Sequence, residues 1–375
     1  MFGNDRKNWR RKNGIHQMKT VVLKIIPGDG IGREVVSAGK DILRTIEALH
    51  GGVRFDCEDL AWGCEYYLRH GCMMPNDGMR HLDDCDAVLL GAVGGFGVPD
   101  HVSLHGLLLP IRQGFDQYIN MRPVKLLEGL ASPLKNRSRA DIDFVIIREN
   151  SEGEYCGRGR IENRDTAEET AVQEACFSRK GTERVIKYAF EYARRHQQKK
   201  ITSATKSNAL NYSMVFWDAV FNEVKKSYQD IEAQSIHMDA LAGLFLLRPQ
   251  QFDVIVASNL FGDILTDLGA AMLGSIGVSP SANINPEKKH PSMFEPVHGS
   301  APDIAGTGIA NPIGMIWSIV LMLEHLGMPV LSEKLMGAVE TVLSAGKVRT
   351  PDLGGTGTTG AVAEEIKAVL RSNLK

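Results

Sequence analysis

Short apolar runs that stop at glycine- or asparagine-bearing turns alternate with longer stretches whose apolar residues recur every three or four positions. Val21 to Ile26 predicts a buried strand that ends in Pro27-Gly28-Asp29-Gly30-Ile31-Gly32. Val35, Val36, Ile42, Ile46 and Leu49 then keep helical spacing. Ala87 to Leu90 predicts a strand leading into Gly91-Ala92-Val93-Gly94-Gly95. Phe144 to Ile147 predicts another, followed by Arg148-Glu149-Asn150, and Ile201 to Thr205 a further one that presents Lys206-Ser207-Asn208. Helices are predicted over Glu183 to Lys200, Met214 to Val224, Ala240 to Leu247, Pro312 to Leu326, Glu333 to Ser344 and Gly360 to Leu370. Phe252 to Ala257 reads as a strand, and after a turn Ile264, Leu265, Leu268 and Met272 continue as a helix from Gly262 onward. Phe294 to Asp303 contains Pro296, Gly299 and Pro302 and predicts a loop whose amides can face a phosphate or ribose. Strand-helix alternation of this kind indicates an α/β architecture.

Composition narrows the class. A chain of 375 residues with 43% apolar content can fill a sizeable core, in two domains or one large α/β unit. The net charge is −2 with dispersed Lys and Arg, so no basic face for nucleic acid is expected. The longest apolar stretch, Ile313 to Leu323, is broken by Gly314 and Ser318 and is too short for a bilayer; a buried or subunit-interface helix suits it better, with no membrane partner. The six cysteines form no C-x-x-C pair and no zinc spacing, which fits reduced thiols in a soluble, cytoplasmic protein. Met1 to Gln17 is basic without an apolar core, so it is no secretory signal. Residues 1–18 are expected to be a disordered extension ahead of a second start at Met18.

Candidate chemistry begins with Asp263 and Asp267. Four apart on a helix, their Cβ atoms lie roughly 5 to 6 Å from each other on one face. Either Asp263 caps the helix and Asp267 is solvated, or a hard divalent cation such as Mg²⁺ or Mn²⁺ lies between them, with a third ligand from elsewhere. Arg112, Arg122 and Arg148 are each explicable as surface ion pairs, but together they would clamp a small di- or tricarboxylate. The glycine turn is not a dinucleotide fingerprint, because Arg33 stands where G-x-G-x-x-G needs its last glycine. Gly28 and Gly30 would still allow a ligand close to the backbone.

Several separated motifs agree on a relationship. Ile26-Pro27-Gly28-Asp29-Gly30-Ile31-Gly32, Arg112 and Arg122, Arg148-Glu149-Asn150, Lys206-Ser207-Asn208, Asn259-Leu260-Phe261-Gly262-Asp263 with Asp267, His298-Gly299-Ser300-Ala301-Pro302-Asp303 and Ile309-Ala310-Asn311-Pro312 resemble the β-decarboxylating dehydrogenases, the isocitrate and 3-isopropylmalate dehydrogenase family. The resemblance runs from about Lys19 to the C-terminus. Glu65-Tyr66-Tyr67, Met73-Met74-Pro75, Pro99-Asp100-His101-Val102-Ser103-Leu104 and Phe115-Asp116-Gln117-Tyr118 are most similar to its tartrate and D-malate dehydrogenase branch.

The resemblance implies an α/β, non-Rossmann fold with a three-layer mixed sheet. It implies a large cofactor-binding domain from 19–115 plus 273–375 and an inserted substrate and dimerisation domain, 116–272. It implies a homodimer in which Lys206 and Asp239 reach into the partner's site, Asp239 being the missing third carboxylate beside Asp263 and Asp267. Tyr155, Lys206 and Asp239 would be catalytic. Arg112, Arg122 and Arg148 would hold carboxylates, and His105, Leu108 and Leu109 would face the variable part of a small-molecule substrate. Glu295, His298, Gly299, Ser300, Ala301, Pro302, Asp303, Asn311 and Asp352 would bind the cofactor. Asp303 with Ile304 favours NAD over NADP, since no cation is there for a 2′-phosphate. Mg²⁺ or Mn²⁺ is implied, with K⁺ a candidate monovalent ion. The implied reaction is oxidation and decarboxylation of D-malate or tartrate, giving pyruvate and CO₂ from D-malate and oxaloglycolate or glycerate from tartrate. 3-Isopropylmalate or another 3-substituted malate is the alternative substrate, and a non-catalytic regulatory subunit the remote alternative. His105 matches neither the Glu of the isopropylmalate branch nor the Trp common in the tartrate branch; it either hydrogen-bonds the substrate or fills space.

Overall fold

The computed structural model describes residues 18–95 and 97–373; the expected extension over residues 1–18 lies outside them, Met18 aside. Among the described residues the strands are β1 (Lys19–Gly28), β2 (Val53–Asp59), β3 (Ala87–Ala92), β4 (Ile119–Lys125), β5 (Asp143–Glu149), β6 (Gly159–Glu162), β7 (Thr170–Gln173), β8 (Lys200–Thr205), β9 (Glu232–His237), β10 (Val254–Ala257), β11 (Pro280–Ile284) and β12 (Ser292–Pro296). Ten of them form one sheet in the order β2-β1-β3-β12-β11-β4-β5-β10-β8-β9, while β6 and β7 make a separate hairpin. Pairing is parallel in both flanks and antiparallel where β12, β11, β4 and β5 meet. The expected mixed α/β sheet is therefore present.

Burial explains which strands stand out in the sequence. Every residue of β3 and β10 is buried, as expected for inner strands covered on both faces, so each reads as an unbroken apolar run. The edge strand β9 has no buried residue, and most of the other edge, β2, is exposed past its first residues; neither shows as such a run. The helix Gly32–His50 buries Val35, Val36, Ile42, Leu43 and Ile46 and stops at Gly51, whose φ of 65° suits a left-handed cap. In the helix Ile313–His325, Ile313 through Leu323 are all buried, so this helix is core on every side. Among the described residues no helix is long and apolar enough to cross a membrane.

Three expectations are corrected. Phe294, Glu295 and Pro296 belong to β12, because a proline is tolerated as the last residue of a strand; the loop begins only at Val297. The helix expected over Glu183 to Lys200 spans Arg179–Arg195: Ser178 caps it by accepting from the Gly181 amide, and Lys200 already belongs to β8. At Gly28 and Gly30 the side on which a Cβ would stand is taken by the chain itself. A Cβ there would sit 1.9 Å from the Ala92 carbonyl oxygen and 2.0 Å from that of Ser300, so these glycines admit neighbouring backbone.

At the end of the core helix, His325 packs near Phe294, with Nε2 3.1 Å from Ser292 Oγ. Burial, aided by repulsion from Lys288, pushes its imidazole down to about 4. An unfolded histidine takes its proton near pH 6.5, so between about 6.5 and about 4 the unfolded chain binds the extra proton. Stability from this site is complete above that window and is lost as pH falls through it. The denaturation midpoint of the wild type should therefore drop more between about pH 7 and about pH 5 than that of His325→Gln. Equal drops would remove His325 from the pH response.

Candidate active site

The helix Asn259–Met272 follows β10 directly, with Ser258 at its N-cap in extended backbone; Asp263 thus lies inside the second turn and caps nothing. In the parallel pairing of β10 with β5, Ala257 stands beside Arg148, which sets that arginine against the first turns of the helix. Arg148 is 2% exposed and uses three of its five donors within the chain: Nε and Nη2 donate to Asn259 Oδ1 at 3.2 and 2.7 Å, and Nη1 donates to Asp263 Oδ1 at 2.5 Å. Tyr155 donates its hydroxyl to Asp263 Oδ2 at 2.9 Å, and the Arg148 guanidinium carbon lies 5.6 Å from the tyrosine ring centroid.

Arg122 arrives from β4. Its Nη1 donates to Thr266 Oγ1 at 2.6 Å and lies 3.8 Å from both Asp263 Oδ1 and Asp267 Oδ1. The two aspartates do share a helix face, and a guanidinium lies near both. Arg112, from the helix Leu109–Gly114, donates Nη2 to Glu295 Oε1 at 2.8 Å. The three arginines are all buried, and their charges are met by Asp263, Asp267 and Glu295.

The electrostatics follow from that crowding. Burial, with repulsion from Arg148, pushes Arg122 down to about 10. Burial also lowers Arg148, against the pull of Asp263. For Asp263 burial would raise the carboxyl, but Arg148, Arg122, the Tyr155 hydroxyl and Arg112 outweigh it and hold the group below its ordinary value. Asp267 is raised, by burial first and by Asp263 as well, with Arg122 opposing. Tyr155 is raised by burial and by Asp263, so it keeps its proton at neutral pH.

The donor chemistry fits a hard divalent cation: two carboxylates on successive turns of one helix. Among the described residues of a single chain, no group of three or more His, Cys, Asp or Glu comes together to hold a metal ion. Asp239 lies at the start of the helix Met238–Leu247 and pairs with Lys206 Nζ at 2.9 Å, which holds its carboxyl below the ordinary value. Within one chain, then, Asp239 pairs with Lys206 and does not complete a three-acid group with Asp263 and Asp267.

The segment that carries His105 forms a π-turn, Leu104–Leu108, a local widening of the helix often met at functional sites. His105 is exposed, Leu108 half-buried and Leu109 buried. On the other side, the loop after β12 meets the glycine turn of β1: the Ser300 carbonyl accepts from the Ile31 amide at 2.8 Å, and Ala301 adopts φ 38°. His298 is buried, with Nδ1 2.9 Å from the Gly299 carbonyl and Nε2 without a partner; burial lowers its imidazole. Gly299, Pro302 and Asp303 are exposed, and Asn311 donates to Asp352 Oδ2 at 2.9 Å. Gly30, Gly94, Gly95, Pro302 and Gly306 line a groove of about 450 Å³ between these turns. Glu295 faces Arg112. Asn259 and Thr266, which anchor Arg148 and Arg122, had no assigned role in the sequence. Their spacing of four and one from the two aspartates on a common helix was the available signal.

A family model described as isocitrate/isopropylmalate dehydrogenase matches residues 22–369. The chain is 53% identical to a probable tartrate dehydrogenase/decarboxylase of Bacillus subtilis (strain 168), over 94% of this chain and 99% of that protein. It is 47% identical to the D-malate dehydrogenase [decarboxylating] of Escherichia coli (strain K12), over 94% and 100%. In structure it is similar to an isocitrate dehydrogenase from Methylococcus capsulatus, with a TM-score of 0.84 and 35% identity, covering 94% of this chain and 99% of that one.

Gly262 presses on Arg148: a Cβ there would lie 2.5 Å from Arg148 Cγ and 2.6 Å from its Cβ. Gly262→Ala must displace the arginine, and a misplacement of this size should cut kcat/KM for hydroxy-acid oxidation by about 10²-fold. Steady-state assays would check this, and unchanged constants would show that the site tolerates the shift.

Proposed function

The chain belongs to the isocitrate/isopropylmalate dehydrogenase family, and from that premise we propose that it oxidises and decarboxylates D-malate or tartrate with NAD and Mg²⁺ or Mn²⁺. That it is a dehydrogenase acting on hydroxy acids with loss of CO₂ follows from its relatives. The observation that carries the finer reading is the grouping of Arg112, Arg122 and Arg148 around Asp263, a cationic pocket sized by three guanidiniums beside paired carboxylates.

In this reading the arginines hold the two carboxylates of the substrate by bidentate hydrogen bonds. Asp263 and Asp267, with Asp239 of a second copy, would hold a divalent ion, which when bound would supply Lewis acidity to the hydroxy acid. Lys206 of that second copy would take the hydroxyl proton, and a bound nicotinamide would supply the hydride acceptor. After CO₂ leaves, Tyr155 returns a proton to carbon. The loop His298 to Asp303, with Asn311 and Asp352, binds the adenosine end of NAD. The unit 116–272 is the dimer contact; exposed Leu246, Leu247 and Ile264 on its packed helices and the exposed β6–β7 hairpin support this. Within one chain Asp239 pairs with Lys206 and joins no group of three acids with Asp263 and Asp267, which supports a site completed by a second copy.

A panel of D-malate, both chiral tartrates, meso-tartrate, 3-isopropylmalate and isocitrate, assayed with Mn²⁺ and either NAD or NADP, tests the reading. The highest kcat/KM is expected for D-malate or a tartrate with NAD. A preference for isopropylmalate, or comparable values with NADP, would overturn that part of it. Sharing of the site is tested by mixing Lys206→Ala with Tyr155→Phe. Each alone should lose about 10²-fold or more of its rate. After subunit exchange, roughly a quarter of wild-type activity should return, because half the dimers carry one intact site of two. No recovery on proven exchange would mean that each site is built from one chain.

A further inference from the structure

What holds Glu295 in place reaches across four strands. Its Oε1 accepts from Arg112 Nη2 at 2.8 Å and from Asn283 Nδ2 at 2.7 Å. Asn283, on β11, is fully buried, and its Oδ1 takes two donors at 2.9 Å each: Nδ2 of Asn120 on β4 and Nδ2 of Asn150 just beyond β5. With two donors on its oxygen, the Asn283 amide has one satisfactory orientation, its nitrogen toward Glu295. Neighbouring strands β12, β11, β4 and the end of β5 are thereby tied through buried polar side chains to one guanidinium of the substrate pocket.

As a means of stabilising the sheet this network is poor. Asn120 Oδ1, Asn150 Oδ1 and Arg112 Nε are buried without partners, and a partly satisfied polar network is less favourable than apolar packing. The apolar residues that fill the rest of the sheet would serve stability better. Its geometry serves Arg112 instead: Glu295 accepts from Nη2 alone, which restrains the planar guanidinium and leaves its other donors for a carboxylate.

We propose that Glu295 and Asn283 are positioning residues for Arg112, and that their work falls on the hydroxy acid and not on the cofactor. This rests on Arg112 being a carboxylate ligand, as in the function proposed above. The test uses the full enzyme with Mn²⁺, measuring constants for the hydroxy acid and for NAD in Glu295→Gln and Asn283→Leu, with thermal melting to confirm folding. In both variants kcat/KM for the hydroxy acid should fall about 10²-fold. KM for NAD should stay within about twofold of wild type, the split expected when only one ligand's geometry is disturbed. A raised KM for NAD with unchanged hydroxy-acid constants would assign Glu295 to the cofactor and overturn the proposal, as would variants indistinguishable from wild type. Should Asn283→Leu fail to fold, Glu295→Gln decides alone, since it keeps the size of the side chain and removes the charge that holds the Arg112 guanidinium. Wild-type enzyme inactive on every hydroxy acid would instead sink the functional reading itself.

Discussion

Three guanidiniums buried at one place would repel each other and lose hydration, so the pocket can exist only where carboxylates are held against them. The compensation comes from different directions: Asp263 and Asp267 from one helix, Glu295 from the adjoining strand system. Asp263 and Glu295 are held by hydrogen bonds to their arginines, while the more exposed Asp267 lies 3.8 Å from Arg122. The result is a site that is nearly balanced in charge yet rich in donors, which suits an anionic ligand that brings a cation with it.

The sheet supplies the rigidity. Its antiparallel centre, β12-β11-β4-β5, brings Arg122 and Arg148 onto adjacent strands with Glu295 two strands away, and helix Asn259–Met272 closes over them from β10. Close approach of helix and arginine is possible because residue 262 is glycine. The same economy applies at the glycine turn, where the chain after β1 fits against Ser300 only because Gly30 lacks a Cβ.

Much of this was legible in the sequence. The inner strands announced themselves as apolar runs because both faces are covered, and the i, i+4 rule placed Asp263 and Asp267 on one face before any coordinates. The failure of the glycine fingerprint at Arg33 excluded a Rossmann reading for a local, steric reason. Less visible were β2, β4, β9, β11 and β12. Their residues are mixed in polarity, with Asn120 and Asn283 at fully buried positions where a sequence pattern expects apolar side chains.

Local order along the chain determined helix faces, inner strands, turns and the family to which the protein belongs, because those depend on periodicity and on residues near one another in sequence. Tertiary structure alone decided that Glu295 faces Arg112, that Asn259 and Thr266 anchor the other two arginines, and that Asp239 takes Lys206 as its partner within the chain. Apart from Lys206 with Asp239, these contacts span more than a hundred residues. A hydrogen bond or ion pair has no signature in spacing; it exists only once folding has brought its two halves within about 3 Å.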